Sequence, residues 1–388
     1  MGDFDVTIIG AGLAGLQCAR LLSAKGINIL LVDRKTDLTK DIHTTGIFVR
    51  KTFEDFAFPA GTLGKPIRDV TLYSPKLRSM KLASEADEFR VGRMDRLYES
   101  FLEECISNGV EFSPATRFVS VKPNEDGSTV VLEKCGERFE VNTKVLVGAD
   151  GASSVVAKAL NLDQNRETIV GYEEVYHRIQ KHNEPRLHCF LDAELAPGYL
   201  AWIADDGVEI HIGVGGYAAD FNPRKALEKF KAKTVHLLNI SELHFAEARG
   251  GSIPVGGVLR RIANPYGLLI GDAAGAVSPL TAGGLDPCLR LSTYAADVIG
   301  ERLRMDDAAV LMSYSGSAFR SRFVSRIWMR RLIALVKDQR LLELGCTILR
   351  TKLGGKFAKH VFFGRGSFPD VASKGSEHLE QTTLSSVK

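Results

Sequence analysis

Three glycines near the N-terminus have the spacing of a turn that binds a dinucleotide. Gly10, Gly12 and Gly15 directly follow the β-branched run 6–9, and the acid Asp33 ends the next apolar run. In such a strand–turn–helix unit, the first glycine permits the tight turn, the second lets a pyrophosphate approach the main chain, and the third lets helix and strand pack closely. The helix N-terminus attracts phosphate groups, and the acid accepts hydrogen bonds from ribose hydroxyls. The cofactor-binding residues predicted from this segment are Gly10, Ala11, Gly12, Leu13, Ala14, Gly15, Asp33 and Arg34.

An aspartate beside a glycine ends two further apolar runs of the chain. Both runs are short and fully apolar, which is typical of strands buried in a parallel sheet. Further on, two adjacent glycines lead into a predicted helix. The residues concerned are Asp150 and Gly151, Gly271 and Asp272, and Gly283, Gly284 and Leu285.

In this order, the motifs resemble those of the p-hydroxybenzoate hydroxylase superfamily of flavoproteins. The resemblance implies that Asp272 binds the ribityl chain of FAD and that Asp150 and Gly151 contact the cofactor. It also implies that the helix after Gly284 points its N-terminus at the N1–C2=O edge of the flavin, where the reduced flavin carries negative charge. Arg93, at the start of a predicted helix, matches an arginine that the superfamily places near FAD.

The reductant is a separate question from the bound cofactor. No second glycine-rich turn with strand–helix context is found, so a second tightly bound dinucleotide is not expected. Where the superfamily usually has arginine after the Asp-Gly motif, this chain has Ala157 followed by Lys158, which weakens any NAD(P)H contact there. The resemblance implies NAD(P)H or ferredoxin as a transient reductant.

Two details are similar to the geranylgeranyl reductase family within that superfamily. The stretch 196–203 reads APGYLAWI, like the family's substrate-lobe signature, and GGSIP at 250–254 precedes GDAAG at 271–275. The resemblance implies hydride transfer from reduced FAD to double bonds of a prenyl lipid. Tyr199 and Trp202 are then candidates for the wall of an apolar substrate tunnel, the alternative being ordinary sheet core.

The sequence departs from that family at one position near the flavin. The family commonly has a cysteine followed by glycine after its second strand, and here Thr45 stands in its place. Thr45 and the nearby His43 are therefore the candidate catalytic residues. Histidine titrates near neutral pH, so His43 could donate a proton or contact the flavin, the alternative being a loop histidine with a structural hydrogen bond.

Three functions are consistent with these features. The first is reduction of carbon–carbon double bonds in a geranylgeranyl-type lipid. The alternative is a monooxygenase that hydroxylates an apolar or aromatic substrate through a flavin C4a-hydroperoxide. The third is a flavin-bound protein without turnover that acts as a membrane-associated binding factor.

Strand and helix patterns predict an α/β fold. It comprises a Rossmann-like FAD-binding lobe, a substrate lobe built on an antiparallel sheet, and C-terminal helices. Alternating polar and apolar residues dominate 165–255, as in half-buried antiparallel strands. His188 and His211 alternate with apolar residues there and are interpreted as ordinary sheet residues. Residues 36–66 are polar and turn-rich, and a helix is predicted from about Pro287 to Leu303. The predicted boundaries are 1–66, 91–164 and 256–312 for the FAD-binding lobe, 67–90 and 165–255 for the substrate lobe, 313–365 for the C-terminal helices, and 366–388 for a disordered tail.

Composition and charge exclude several classes of protein. A net charge of +3 across 388 residues does not suit a nucleic-acid binder. The six cysteines lack the close spacing of a zinc site, so we expect no metal. No apolar run approaches the ~20 residues of a spanning helix, and no signal peptide is evident, so a cytoplasmic location is expected.

The segment 320–365 is the most basic part of the chain. Its arginines and lysines interleave with Trp328 and aliphatic residues. Such a pattern is typical of amphipathic helices on an anionic membrane surface, and also of helices packed on a domain with a solvated basic face. This segment therefore predicts peripheral contact with a membrane. The sequence does not indicate the oligomeric state.

Overall fold

The computed structural model describes residues 2–179, 184–237 and 243–364. The predicted tail 366–388 lies outside the described residues. The strands are β1 (Gly2–Ile9), β2 (Ile29–Val32), β3 (Ile47–Val49), β4 (Leu63–Ile67), β5 (Asp69–Tyr73), β6 (Ser79–Ala83), β7 (Phe89–Gly92), β8 (Glu111–Ser113), β9 (Thr116–Pro123), β10 (Ser128–Lys134), β11 (Glu137–Gly148), β12 (Thr168–Arg178), β13 (Arg186–Phe190), β14 (Ala201–Asp205), β15 (Glu209–Gly216), β16 (Leu243–Pro254), β17 (Ala263–Asn264) and β18 (Gly267–Leu269). The helices are α1 (Leu13–Ser23), α2 (Arg50–Asp55), α3 (Met94–Ser107), α4 (Val155–Ala159), α5 (Pro223–Lys233), α6 (Leu285–Met305), α7 (Gly316–Arg320), α8 (Val324–Leu335), α9 (Gln339–Leu349) and α10 (Lys352–Phe363).

The first sheet has the strand order β17-β18-β11-β1-β2-β8, and β10 and β9 extend it from β11. Its central strands β18, β11, β1, β2 and β8 are parallel to one another. All four residues of β2 are buried, which explains why this strand is a continuous apolar run. Because the central strands are parallel, their carboxyl ends meet at one edge, where ligands of open α/β sheets bind.

The second sheet has the order β16-β12-β15-β14-β13-β5-β6. Its pairs are antiparallel as predicted, except that β13 and β5 run parallel. Residues of β12 alternate between partly exposed and buried from Thr168 onwards, so Ile169, Gly171, Glu173 and Val175 share the buried face. An acid at Glu173 therefore occupies a position that the alternation reserves for core residues.

Two parts of the chain differ from the sequence prediction. Residues 36–66, expected to be mainly turns, contain β3, α2 and β4, and a three-stranded sheet forms in the order β3-β7-β4. β3 has only three residues and pairs with the distant β7, so its local pattern is weak. The strand-rich segment also contains α5, which Asn222 caps and Pro223 begins, the usual signals of a helix start.

Helices α1 and α6 pack on each other beside the first sheet. The predicted helix after residue 284 is present, and it begins at Leu285 rather than near Pro287. α8, α9 and α10 follow in the predicted C-terminal helical region. In the described ranges, no helix combines the length and the apolar character that crossing a bilayer requires.

Candidate active site

A cavity of about 1480 Å³ lies between the carboxyl edge of the first sheet, one face of the second sheet and the C-terminal helices. This volume exceeds the roughly 300–1,000 Å³ of a typical small-molecule pocket, so one ligand of ordinary size would not fill it. Three groups of residues line it: the glycine-rich strand ends, side chains of β12, β14 and β16, and apolar residues of α8, α9 and α10.

The first group includes the N-terminal glycine turn. At Gly10 the backbone φ is +104°, and a Cβ there would lie 2.3 Å from the carbonyl oxygen of Ala149. A Cβ at Gly15 would lie 1.9 Å from the carbonyl oxygen of Gly10, so α1 packs directly on the turn. At Gly12, by contrast, a Cβ would meet nothing within 4 Å. Gly10 and Gly15 thus leave no room for a side chain, while the middle glycine is open to the cavity.

Asp33 is held rigidly against this turn. Its Oδ2 accepts a hydrogen bond from the N–H of Ala11 at 2.7 Å, and its Oδ1 accepts one from the N–H of Lys35 at 2.8 Å. A carboxylate has about four acceptor positions, so two remain for ligand hydroxyls. Asp33, Arg34 and the residues from Gly10 to Ala14 all line the cavity.

Asp272 lines the same cavity from the other side. Burial raises the pKa of its carboxyl to about 6. The described part of the chain offers this carboxylate no hydrogen-bond donor, so a ligand hydroxyl would satisfy it. Gly271 stands behind it with φ +57°, where a Cβ would lie 2.7 Å from that of Ala14. Gly271 therefore brings Asp272 close to α1 instead of lining the cavity itself.

The N-terminus of α6 is beside Asp272. A Cβ on Gly284, the N-cap residue, would lie 3.5 Å from Oδ1 of Asp272. Gly283, Gly284 and Leu285 all line the cavity. A helix of 21 residues directs partial positive charge from its first turn, which favours a ligand edge that carries negative charge.

Asp150 and Gly151 also line the cavity, but the carboxylate of Asp150 is already engaged. It accepts hydrogen bonds from Ser154 Oγ at 2.5 Å, Val155 N at 2.7 Å and Val156 N at 3.1 Å. These bonds cap α4. The structure therefore assigns the side chain of Asp150 to holding this loop, and leaves the main chain around Gly151 to face a ligand.

Arg93 requires a correction. It precedes α3 as expected, yet it is absent from the cavity wall. Its guanidinium lies 2.5 Å from Oδ2 of Asp206 and 3.0 Å from Oε2 of Glu209. These acids belong to the second sheet and the turn before β15, so Arg93, directly after β7 of the three-stranded sheet, is tied to the second sheet and is not on the cavity wall.

Tyr199 and Trp202 lie at the cavity wall as the tunnel hypothesis requires. Tyr199 Oη donates a hydrogen bond to the carbonyl oxygen of Thr281 at 2.6 Å, and burial raises the pKa of its phenol. Trp202 packs over Gly213, where a Cβ would lie 2.2 Å from its ring. Glycines of β15 thus make the space that both aromatic rings occupy.

His43 and Thr45 are both brought to the cavity. Thr45 Oγ1 donates a hydrogen bond to Oε2 of Glu173 at 2.6 Å, and Trp202 Nε1 donates to the same oxygen at 3.3 Å. The residue that replaces the family's cysteine is therefore paired with a buried carboxylate. Sequence reasoning missed Glu173, although the alternation along β12 places it on the inward face.

His211 lies behind Glu173 and is fully buried. Its Nδ1 is 3.6 Å from Oε1 of Glu173, and its Nε2 is 3.6 Å from Oε2 of Glu209. Burial opposes charge on the ring, but the two carboxylates outweigh it and raise the pKa of His211 to about 8. The sequence suggested an ordinary sheet histidine here, as it did for His188. An ordinary sheet histidine is an adequate description only of His188. Its ring contacts the hydroxyl of Tyr73, and burial lowers its pKa to about 4.

Comparison with known proteins agrees with this geometry. The family described as FAD binding domain matches residues 3–58 and 75–330. The digeranylgeranylglycerophospholipid reductase of Methanocaldococcus jannaschii is 22% identical over 313 residues, which cover 78% of each chain. Digeranylgeranylglycerophospholipid reductase 3 of Methanosphaera stadtmanae is 26% identical over 318 residues, which cover 79% of each.

Solved structures show the same fold. A geranylgeranyl bacteriochlorophyll reductase-like protein from Thermoplasma acidophilum superposes with a TM-score of 0.81 at 17% identity, covering 97% of this chain and 99% of its own. A p-nitrophenol 4-monooxygenase from Pseudomonas putida gives a TM-score of 0.69 at 14% identity, covering 99% of both chains. The predicted fold class is confirmed. The chain belongs to the family described as FAD binding domain, and it is similar to geranylgeranyl-type reductases within the same fold.

Proposed function

We propose that this protein reduces carbon–carbon double bonds of a geranylgeranyl-type lipid with FAD as its cofactor. The observation that carries the proposal is the continuity of the cavity. One space runs from the glycine turn and Asp272, past Thr45 and Trp202, to the apolar faces of the C-terminal helices. A dinucleotide and an apolar chain can lie in it together.

The cavity's first group of residues fits FAD. The main chain at Gly12 and the N-terminus of α1 would hold the pyrophosphate, and Asp33 would accept hydrogen bonds from the adenosine ribose. Asp272 would accept one from a ribityl hydroxyl. Reduced FAD in this position supplies hydride. The N-terminus of α6 at Gly284 would stabilise the negative charge of the reduced ring.

The apolar chain would lie along the inner faces of α8, α9 and α10. The aliphatic and aromatic side chains that these helices direct into the cavity are Met329, Leu332, Ile333, Leu341, Leu342, Ile348, Leu349, Phe357, Val361, Phe362 and Phe363. A prenyl chain gains free energy by leaving water for such a surface, at about 0.8 kcal/mol per buried CH₂. Tyr199 and Trp202 would separate this part of the cavity from the sheet core.

The reductant belongs to the proposal as well. The turn at Gly10 is already assigned to FAD, so NAD(P)H or ferredoxin would reduce the flavin in a transient encounter. His43 lines the cavity wall and stays a candidate for contact with the flavin.

We also propose that the lipid enters from an anionic membrane. Leu332, Leu341, Ile348 and Phe357 line the cavity and are exposed to solvent at the same time, so they mark its mouth. Further apolar residues of α8 and α10 are exposed, among them Leu335 at 77% and Leu353 at 81%. The exposed basic residues of the three helices and of the connection between α8 and α9 are Arg331, Lys337, Arg340, Lys352, Lys356 and Lys359. Exposed apolar side chains ringed by positive charge suit an interface with anionic lipid.

Replacing Asp272 by alanine should release FAD. A hydrogen bond to a charged group contributes about 1.5–3 kcal/mol, so the dissociation constant should rise about 10- to 150-fold. Flavin content after gel filtration measures this. Asp126→Ala, in an exposed turn, is the matched control. Stoichiometric flavin in the Asp272→Ala protein would remove the assignment of this carboxylate to the ribityl chain.

Prenyl reduction should reoxidise the flavin without oxygen. The protein is reduced with dithionite under anaerobic conditions, and a detergent-dispersed geranylgeranyl lipid is added while the oxidised flavin band is followed. Return of the band together with a product two mass units heavier supports the proposal. If the band returns only when air is admitted, the result favours the alternative function, in which this protein is an oxygen-dependent monooxygenase.

Leu335→Glu combined with Leu353→Glu should weaken binding to vesicles that contain anionic lipid. Each leucine contributes about 1.5–3 kcal/mol when buried, so the partition coefficient should fall at least about tenfold. Vesicle co-sedimentation measures it, and raising the salt concentration should weaken binding further. The control is Ile106→Glu on α3, a residue of similar character that is 53% exposed. Equal binding by all three proteins would exclude this face as the membrane contact.

A further inference from the structure

A row of polar and charged side chains crosses the second sheet behind the cavity wall. It begins at Thr45 and Glu173, continues through His211 to Glu209, and ends at Arg93. Of these, only Thr45 and Glu173 line the cavity. Buried ionisable groups are costly unless they are paired, so a row of this length beside a ligand site calls for a function.

The strand register explains how the row forms. Glu173 of β12 is opposite Gly213 of β15, and His211 is opposite Val175, so Glu173 and His211 are diagonal neighbours on one face. On its other side, Glu173 is opposite Arg249 of β16. The absent side chain at Gly213 leaves room for Trp202, which brings its Nε1 to Glu173.

The charges around the pair are nearly balanced. Glu173 is approached by His211 and by Arg249, whose Nη1 is 4.0 Å away, and it accepts hydrogen bonds from Thr45 and Trp202. His211 is approached by Glu173 and Glu209. Glu209 in turn is approached by Arg93 at 3.0 Å and by His177 at 3.7 Å, and Arg249 also pairs with Glu247 at 2.5 Å.

The pair is not locked by hydrogen bonds. Within the described residues, Oε1 of Glu173 and both ring nitrogens of His211 have no hydrogen-bond partner. Nδ1 of His211 is 3.6 Å from Oε1 of Glu173, and Nε2 is 3.6 Å from Oε2 of Glu209, which is too long for a hydrogen bond. A movement of a few tenths of an ångström would bring Nδ1 and Oε1 into hydrogen-bond range. The geometry thus allows one proton to be shared between the imidazole and the carboxylate.

We propose that Thr45 and Glu173 deliver the proton in the reduction and that His211 is the positioning residue that stores it. This inference rests on the proposed function. The proton passes from Nδ1 of His211 to Oε1 of Glu173, the oxygen that faces it. Rotation of the neutral carboxyl group then brings its O–H to the position of Oε2 beside Thr45. There it donates to Oγ1 of Thr45, and the hydroxyl hydrogen of Thr45 is free to face the substrate.

The bonds balance as follows. The π bond of the alkene breaks, and one of its carbons receives the hydride that reduced FAD supplies. The other carbon forms a C–H bond as the O–H bond of Thr45 breaks, and Oγ1 takes the proton from Oε2 of Glu173. Thr45 ends as a hydroxyl, Glu173 as a carboxylate and His211 as a neutral imidazole, which solvent then reprotonates.

The first test measures the proton store without turnover. In oxidised, FAD-loaded protein with ¹⁵N-labelled histidine, the His211 signal, assigned with His211→Asn, should be that of an imidazolium at pH 7. Glu173→Gln removes one of the two carboxylates and should shift this signal towards neutral imidazole. Glu174→Gln changes the neighbouring acid, which pairs with Lys231 on the other side of β12, and should leave it unchanged. No difference between the two variants would overturn the inference.

The second test measures a single turnover. In wild-type protein the rate should fall as the pH rises through about 8, because the protonated form of His211 is then lost. Glu173→Gln and Thr45→Val should each slow product formation at least about 100-fold while retaining FAD, and Thr45→Ser, which keeps the hydroxyl, should stay within about tenfold. Wild-type rates in Thr45→Val would overturn the relay. If the Glu173→Gln protein does not fold, the comparison of Thr45→Val with Thr45→Ser alone tests the proton path.

The two proposals fail in distinguishable ways. If wild-type protein reduces no prenyl lipid under anaerobic conditions, the proposed function fails whatever the histidine spectrum shows. If wild-type protein does so and Thr45→Val is as fast, the function stands and only the proton path is wrong.

Discussion

The close approach of main chain to main chain at the carboxyl edge of the first sheet is the constraint on which the rest of the site depends. β1 turns so near to β11 at Gly10 that no side chain fits, and α1 packs on that turn through Gly15. Gly271 closes the third contact, against Ala14. These approaches place the N-terminus of α1 and the carboxylate of Asp272 on the rim of one cavity. A cofactor that spans this rim is held chiefly by main-chain groups, which explains why the binding residues include so few long side chains.

Two buried acids of the cavity are tuned in opposite directions. Among the described residues, no cationic neighbour offsets the burial of Asp272, and its pKa rises to about 6. At Glu173, burial also acts to raise the pKa, but His211, Thr45 and Arg249 outweigh it and hold the pKa below its usual value. The first acid is suited to accept a hydrogen bond from a neutral ligand, and the second to stay ionised and keep its histidine protonated. Separation of roles by environment is the general way in which one fold supports acid–base chemistry near neutral pH.

The sequence predicted those parts of the site that are local in the chain. The turn from Gly10 to Gly15 and the pair Gly271-Asp272 are short motifs whose spacing carries their geometry, and the structure brings Gly10, Gly12 and Asp272 to one cavity. Arg93 was misassigned because a motif fixes the position of a residue but not the direction of its side chain. Glu173 and His211 were missed because they belong to different strands, and only the sheet register makes them neighbours. The segment 36–66 was read as turns for the same reason, since its strands find their partner in the distant β7.

The central claim is that the cavity holds FAD and an apolar prenyl chain at the same time. Titration of the oxidised, FAD-loaded protein with a geranylgeranyl lipid tests it most directly. We predict a shift of the visible flavin band that saturates at one lipid per flavin, with all FAD retained after gel filtration. Release of FAD by the lipid would contradict the account, because the two ligands would then compete for one place. Lipid binding without any change in the flavin band would contradict it as well, because the chain would then lie away from the ring.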